Sequence, residues 1–385
     1  MAHSARPATL RDVATAAGVH PATASRALNP GTRLLVSQDT ARRVTDAAAR
    51  LGYQPNPVAR SLRTRRSHTI GVLIPDLNNP LFPPIVRGIE DRLAEHGYLA
   101  VLGNTDADLA RERLVFAQLR ARHLDGFVLA TATAGSPVLA EALAAEVPLV
   151  LVNRTAQDFP FSSVSVDNEQ GVRAAVAHLA ALGHRRIGHI AGPQDASTGA
   201  LRLRGFHAAM AAHGFPRPDS AVSYASAYSL EEGDRCCRDL LSGPAGGPSG
   251  LTAVVAANDM LAIGCYAALD DLGLSCPDDI SVTGFNDMPF IDRLRPPLTS
   301  VRFPHYQLGT EAATLLIERI EAADSPVKNI FLAPELIARG STRHPAAAPS
   351  TPSTTPATPA APATPAATPA TPAAAIPLRR GQDTA

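Results

Sequence analysis

Between residues 69 and 344, short apolar runs alternate with helix-spaced stretches that stop at a glycine, and few folds accept that pattern. Ile70–Ile74 reads as a buried strand running into a Pro-Asp turn. Ile85–His96 has helical spacing and ends at Gly97, Leu99–Leu102 is a strand, and Leu109–Arg122 is helical again. Phe127–Leu129, Pro148–Val152, Arg186–Ala191, Ala253–Ala256 and Ile280–Gly284 read as further strands. Gly171–Leu182, Ala200–His213 and Met260–Leu272 read as helices, closed by Gly183, Gly214 and Gly273. Such strand–helix–strand units predict parallel sheets with helices on both faces. About 275 residues is near the limit of one core, so two lobes are expected.

The flanks differ. Residues 9–53 hold three helical stretches and no credible strand. Thr9 is placed to cap the first, with Asp12 three residues on favouring the helix N-terminus. Gly18 breaks that helix, and Pro21 suits the first turn of a second, which runs to Asn29. Ser37 caps a third, Gln38–Leu51, which stops at Gly52. From Pro345 to Ala385 there are ten prolines among alanine and threonine, with no aromatic residue and almost no charge. Such a tail buries too little apolar surface to offset its ordering entropy and is expected to be disordered.

The formal net charge is zero, yet residues 1–68 hold eleven arginines against three acids. A basic head on an acidic body is the asymmetry of a modular nucleic-acid binder. No apolar run approaches the roughly 20 residues of a membrane span, and the N-terminus has no apolar signal segment. Four cysteines without metal-ligand spacing suit reduced thiols in a cytosolic protein. No membrane partner, cofactor, metal or catalytic residue is expected. No phosphate loop, metal-spaced His/Cys set or nucleophile elbow appears, which argues against an enzyme.

Thr9–Asn29 fits a helix-turn-helix: Ala14 is small where two helices cross, Gly18 gives the turn, and Val13, Ala17, Val19, Ala24, Ala27 and Leu28 face inward. The second helix then presents Ala22, Thr23, Ser25 and Arg26 toward a major groove, with Arg26 the best donor for a guanine edge. Tyr53-Gln-Pro-Asn-Pro-Val-Ala-Arg-Ser-Leu-Arg63 follows the third helix directly. With LRDVATAAGV, TASRALN, IGVLIPDLNNPLF, VDNEQG, LGHRRIGHIAGP, the R-x-x-GF step at 202–206, AANDMLAIG, PPLTSVRFP and PELIARGSTR in order, the chain resembles the lactose-repressor (LacI/GalR) family of bacterial transcription regulators over residues 9–343.

The resemblance implies an all-α helix-turn-helix head (1–54), a hinge helix and linker (55–68), and an α/β two-lobed core like the periplasmic sugar-binding proteins (69–344). Chain crossings near 165, 297 and 327 would place about 69–165 and 298–327 in lobe 1, and 166–297 and 328–344 in lobe 2. Residues 345–385 form the tail. Thr9, Pro21, Ala22, Thr23, Ser25, Arg26 and Asn29 are the head's candidate DNA contacts. Asn56–Arg63 would order only when two subunits sit on DNA, which suits a helix too short to stand alone. Leu62 matches the family's minor-groove wedge, flanked by Ala59 and Arg63. Two departures matter: His20 stands where the family usually has a capping Ser, and Pro21 and Ala22 offer no side-chain hydrogen bonds, so base reading rests more on Arg26 and on DNA deformability.

For the core, the resemblance implies ligand contacts at Leu81, Phe82, Asn153, Arg154, Thr198, Arg202, Tyr228, Asn258, Asn286 and Asp287. Asn, Asp and Arg heads with aromatic walls suit a polyhydroxylated ligand, so a carbohydrate effector is expected. Asn153 and Asn286 are neutral where some members carry acids. Ala196 stands where one member has a ligand-binding arginine, which argues against an anionic effector. The expected whole is a cytoplasmic, nucleoid-associated homodimer on a palindromic operator, a repressor of carbohydrate genes under a small-molecule effector. A non-sugar effector, a corepressor mode or activation remain open alternatives within the family.

Overall fold

The structure, a computed structural model, describes residues 8–29, 31–54, 66–216, 221–242 and 250–345. The expected hinge at Asn56–Arg63 and the tail beyond Pro345 lie outside the described residues.

The head has three helices: α1 (Leu10–Ala16), α2 (Pro21–Leu28) and α3 (Gln38–Leu51). Thr9 and Asp12 close a capping box on α1, Ser37 caps α3, and Gly52 ends α3 in the left-handed region. Gly18 turns the chain between α1 and α2 at φ +65°, where a side chain would be strained. Val13, Ala14, Ala17, Ala24, Ala27, Ala41, Val44, Ala47 and Ala48 form the buried centre. Their small side chains let the three helices cross closely, but they remove little apolar area from water.

The core opens with β1 (Thr69–Ile74), α4 (Phe82–Glu95), β2 (Leu99–Asn104), α5 (Leu109–Ala121), β3 (Gly126–Leu129), α6 (Pro137–Ala144), β4 (Leu149–Val152) and β5 (Ser162–Val166). It continues with α7 (Asn168–Ala181), β6 (Ile187–Ala191), α8 (Ser197–Ala212), β7 (Val222–Tyr224), α9 (Leu230–Leu241), β8 (Ala253–Ala256), α10 (Asp259–Asp271), β9 (Ser281–Asn286) and β10 (Thr299–Arg302). The chain returns through α11 (His305–Glu321), β11 (Asn329–Leu332) and β12 (Glu335–Ile337).

These strands build two six-stranded sheets, ordered β11-β5-β4-β3-β1-β2 and β12-β10-β9-β8-β6-β7. All pairings are parallel except β10 with β12. β3, β4 and β8 are buried along their whole length, as strands covered on both faces must be.

The topology moves two of the three expected crossings. The first lies between β5 and α7, beside residue 165. The second does not lie at 297, because β10 still pairs with β9 in the second sheet, from Thr299 opposite Thr283 onward. The chain changes lobes only at Phe303–Pro304, before α11. The third does not lie at 327, because β11 pairs with β5 in the first sheet and β12 with β10 in the second. It falls between Leu332 and Glu335. Residues 298–302 therefore belong to lobe 2, and 328–332 to lobe 1.

In both sheets the strand order reverses beside the first strand of the lobe, between β1 and β3 and between β6 and β8. Ligands of open α/β sheets bind past the carboxyl ends of strands at such points.

Candidate functional site

On α2, Ala24 and Ala27 are buried against the other helices, while Ala22 and Arg26 are exposed and Pro21, Thr23, Ser25 and Asn29 are half-buried. Pro21 occupies the first turn. His20 caps the helix in place of a serine, its Nδ1 accepting from Ala22 N at 3.2 Å. Thr9 sits at the other end of the motif, its hydroxyl donating to Asp12 Oδ2 at 2.7 Å and its backbone N to the same carboxylate at 2.8 Å. Asn29 Oδ1 accepts from Gly31 N at 3.1 Å, shaping the turn after α2. Ala59, Leu62 and Arg63 lie outside the described residues.

The second candidate site is a cavity of about 380 Å³ between the lobes, at the carboxyl ends of both sheets. Leu81, Phe82, Asn153, Arg154, Thr198, Arg202, Tyr228, Asn258 and Asn286 all line it. Lobe 1 contributes the first four from the segments after β1 and β4, and lobe 2 the rest.

Arg202, on α8, is the best-anchored of these. Its Nε donates to Asn168 Oδ1 (2.8 Å), one terminal N to Ala257 O (2.6 Å) and the other to Asn286 Oδ1 (3.4 Å). Its guanidinium carbon lies 3.7 Å from the centre of the Phe285 ring. Burial lowers its pKa to about 10, so it stays charged at neutral pH. Arg154 is buried too and donates to Thr131 O at 3.2 Å. Asn153 holds φ +65°, which asparagine tolerates better than most residues, and its Oδ1 is buried without a partner. The Thr198 and Tyr228 hydroxyls lie 3.0 Å apart. Asn258 caps α10, its Oδ1 accepting from Leu261 N at 2.9 Å.

Asp287 is the exception. Asn286 and Asp287 both take positive φ (114° and 54°), and the turn sends Asn286 into the cavity and Asp287 away from it. Asp287 pairs with Arg302 and Arg339, each at 2.6 Å, and its backbone N donates to Ser300 Oγ at 3.1 Å. Its place is beside the second crossing, not in the cleft.

Asp76, Asn79, Asp106, Thr133 and Asp195 also line the cavity, beyond the residues the sequence points to. All follow a strand end, the same signal that singled out Leu81 and Asn153. Beneath the cavity, Asp259 is fully buried, with Ser300 Oγ donating to its Oδ1 (2.5 Å) and Met288 N to its Oδ2 (2.8 Å). Burial, opposed by those two hydrogen bonds, pushes its pKa up to about 7. The lobes also touch beside the cavity: Ala134 N donates to Asp195 O and Thr155 N to Ser197 Oγ, both at 2.9 Å. Among the described residues no helix is long and apolar enough to cross a membrane.

The family model described as bacterial regulatory proteins, lacI family, matches residues 9–56, and a periplasmic binding protein-like domain matches 176–342. The HTH-type transcriptional repressor CytR of Escherichia coli (strain K12) is 34% identical over 337 residues, spanning 87% of this chain and 96% of CytR. The transcriptional regulator CelR in complex with cellobiose is 32% identical with a TM-score of 0.66, covering 87% of this chain and 99% of its own. The lac repressor dimer bound to operator and the anti-inducer ONPF is 29% identical with a TM-score of 0.77, covering 88% and 100%. With a reading helix on an alanine-packed head and a ligand-sized cleft between two parallel sheets, this chain belongs to the lacI family of bacterial regulatory proteins and is a DNA-binding transcriptional regulator.

Proposed function

We propose that the protein is a dimeric repressor of carbohydrate-metabolism genes that binds a palindromic operator and responds to a sugar in the interlobe cleft. The observation that carries this reading is the cleft itself. Its size suits a small ligand, and Asn, Arg and Thr groups with Tyr228 line both halves, so one ligand touches both lobes. Relatives support the rest: CytR is a repressor, CelR was solved with cellobiose, and the lac repressor as a dimer on operator.

In this reading Arg26 reads a guanine edge, Ala22 touches a thymine methyl at most, and Pro21, Thr23, Ser25, Thr9 and Asn29 fix the helix on the duplex. Leu62, between Ala59 and Arg63, wedges into the minor groove. The other head arginines neutralise phosphate. Effector binding shifts the lobe angle through the three crossings and changes the support of the two hinge segments. The two sites are coupled by about 1–3 kcal/mol, reciprocally. The protein acts in the cytoplasm and has no catalytic role.

The test is fluorescence anisotropy on palindromic sites from the protein's own upstream region, with a sugar panel preselected by thermal shift. Binding to the folded state alone raises its melting temperature. One sugar that both stabilises the protein and changes operator affinity about 5- to 150-fold is expected. Operator binding that no stabilising ligand alters would refute the effector reading.

A further inference from the structure

The buried polar lining of the cleft is Asn79, Thr133, Asn153, Arg154, Thr198, Arg202, Asn258 and Asn286, all neutral or cationic. The acids that line it, Asp76, Asp106 and Asp195, stand half-buried or exposed nearer the rim. The hydrogen-bond partners of both arginines are neutral: Thr131 O for Arg154; Asn168, Ala257 O and Asn286 for Arg202. Asp195, exposed to solvent screening at the rim, and Glu112 both attract Arg154, but Glu112 accepts from the Thr131 hydroxyl; Asp259 attracts Arg202 but is held by Ser300 and Met288. Burial raises the pKa of Glu112 and Asp259, which weakens these two as counter-charges.

A buried charge is costly unless it is paired, and two in one cavity also repel each other. Thr133 Oγ1 and Asn153 Oδ1, both buried and without partners, add hydrogen-bonding capacity for hydroxyls. We propose that the effector is an acidic sugar, whose carboxylate or phosphate sits on the Arg154 and Arg202 side of the cleft while its hydroxyls meet the asparagines and threonines. This deepens the sugar reading above and rests on it. The arginine lost at Ala196 is thus no argument against an anion, because Arg154 brings a charge from the opposite lobe.

Calorimetry on the full chain, freed of ligand, tests this with matched sets: glucose, glucuronate and glucose 6-phosphate; ribose, ribonate and ribose 5-phosphate. In at least one set an acidic member should bind 10-fold or more tightly than its neutral parent, roughly 100-fold if both arginines engage it. Which acid wins separates carboxylate from phosphate. Arg154→Gln should narrow that gap, and Arg154→Lys should restore part of it. A neutral parent that binds as tightly as its acids overturns the proposal and leaves the sugar reading standing. If no sugar binds, neutral or acidic, while a non-sugar ligand raises the melting temperature, both readings fall.

Discussion

Arg26 is exposed on α2, with buried Ala24 and Ala27 holding the helix from behind. Of the side chains that precede it on the helix, Pro21 and Ala22 cannot form hydrogen bonds with bases, so in the proposed reading more of the specificity falls to one guanidinium. Arg26→Ala should cost about 1–3 kcal/mol on the preferred operator and relax guanine preference at one position per half-site. A binding-site selection with unchanged base preference would count against this role. Asp259 gives the clearest pH dependence. Its pKa is about 7 in the folded protein against an ordinary value of 3.8. Between these values the folded state keeps the proton that the unfolded chain has lost, so this group lowers stability as pH rises from about 4 to 7 and adds no slope above. Asp259→Asn keeps an acceptor for Met288 N and removes the titration. Urea midpoints across that range should fall less steeply with pH in the variant than in the wild type.

At the scale of elements, α4 and α11 cross with no room for a side chain. A Cβ on Gly88 would strike the Tyr306 carbonyl oxygen, and one on Gly309 the Ile85 carbonyl oxygen. Gly309→Ala should therefore cost about 1–3 kcal/mol, read as a lower urea midpoint with unchanged slope. Helix ends of the head were legible because they are local: Thr9 with Asp12, Gly18, Ser37 and Gly52 each act within a few residues. The crossings were not. Pro296 and Pro297 look like the end of a lobe, but β10 begins two residues later and is fixed by β9, which no local signal reveals. β7 and β12 have three residues each and owe their existence to partners far along the chain. In the cleft, the family resemblance together with strand ends pointed to nine residues that line the cavity, because the fold fixes where such ends point. Asp287 failed because its direction depends on two positive φ angles in a row, which the spacing of residues does not announce.

For the whole molecule, the basic excess lies in the first 68 residues and the matching acidic excess in the rest. In the proposed reading, phosphate contact by the head would make affinity fall steeply with salt, while an acidic body would discourage the core from lying on the duplex. The two bonds between the lobes, from Ala134 to Asp195 and from Thr155 to Ser197, must break before the lobes part and so bear on timing. Where ligand entry waits on the parting of the lobes, association levels off at the opening rate at high ligand concentration, which stopped-flow mixing would read. The same gating would slow escape. A regulator gated this way would hold its signal for longer than its affinity alone would suggest, and average over brief swings in the ligand supply.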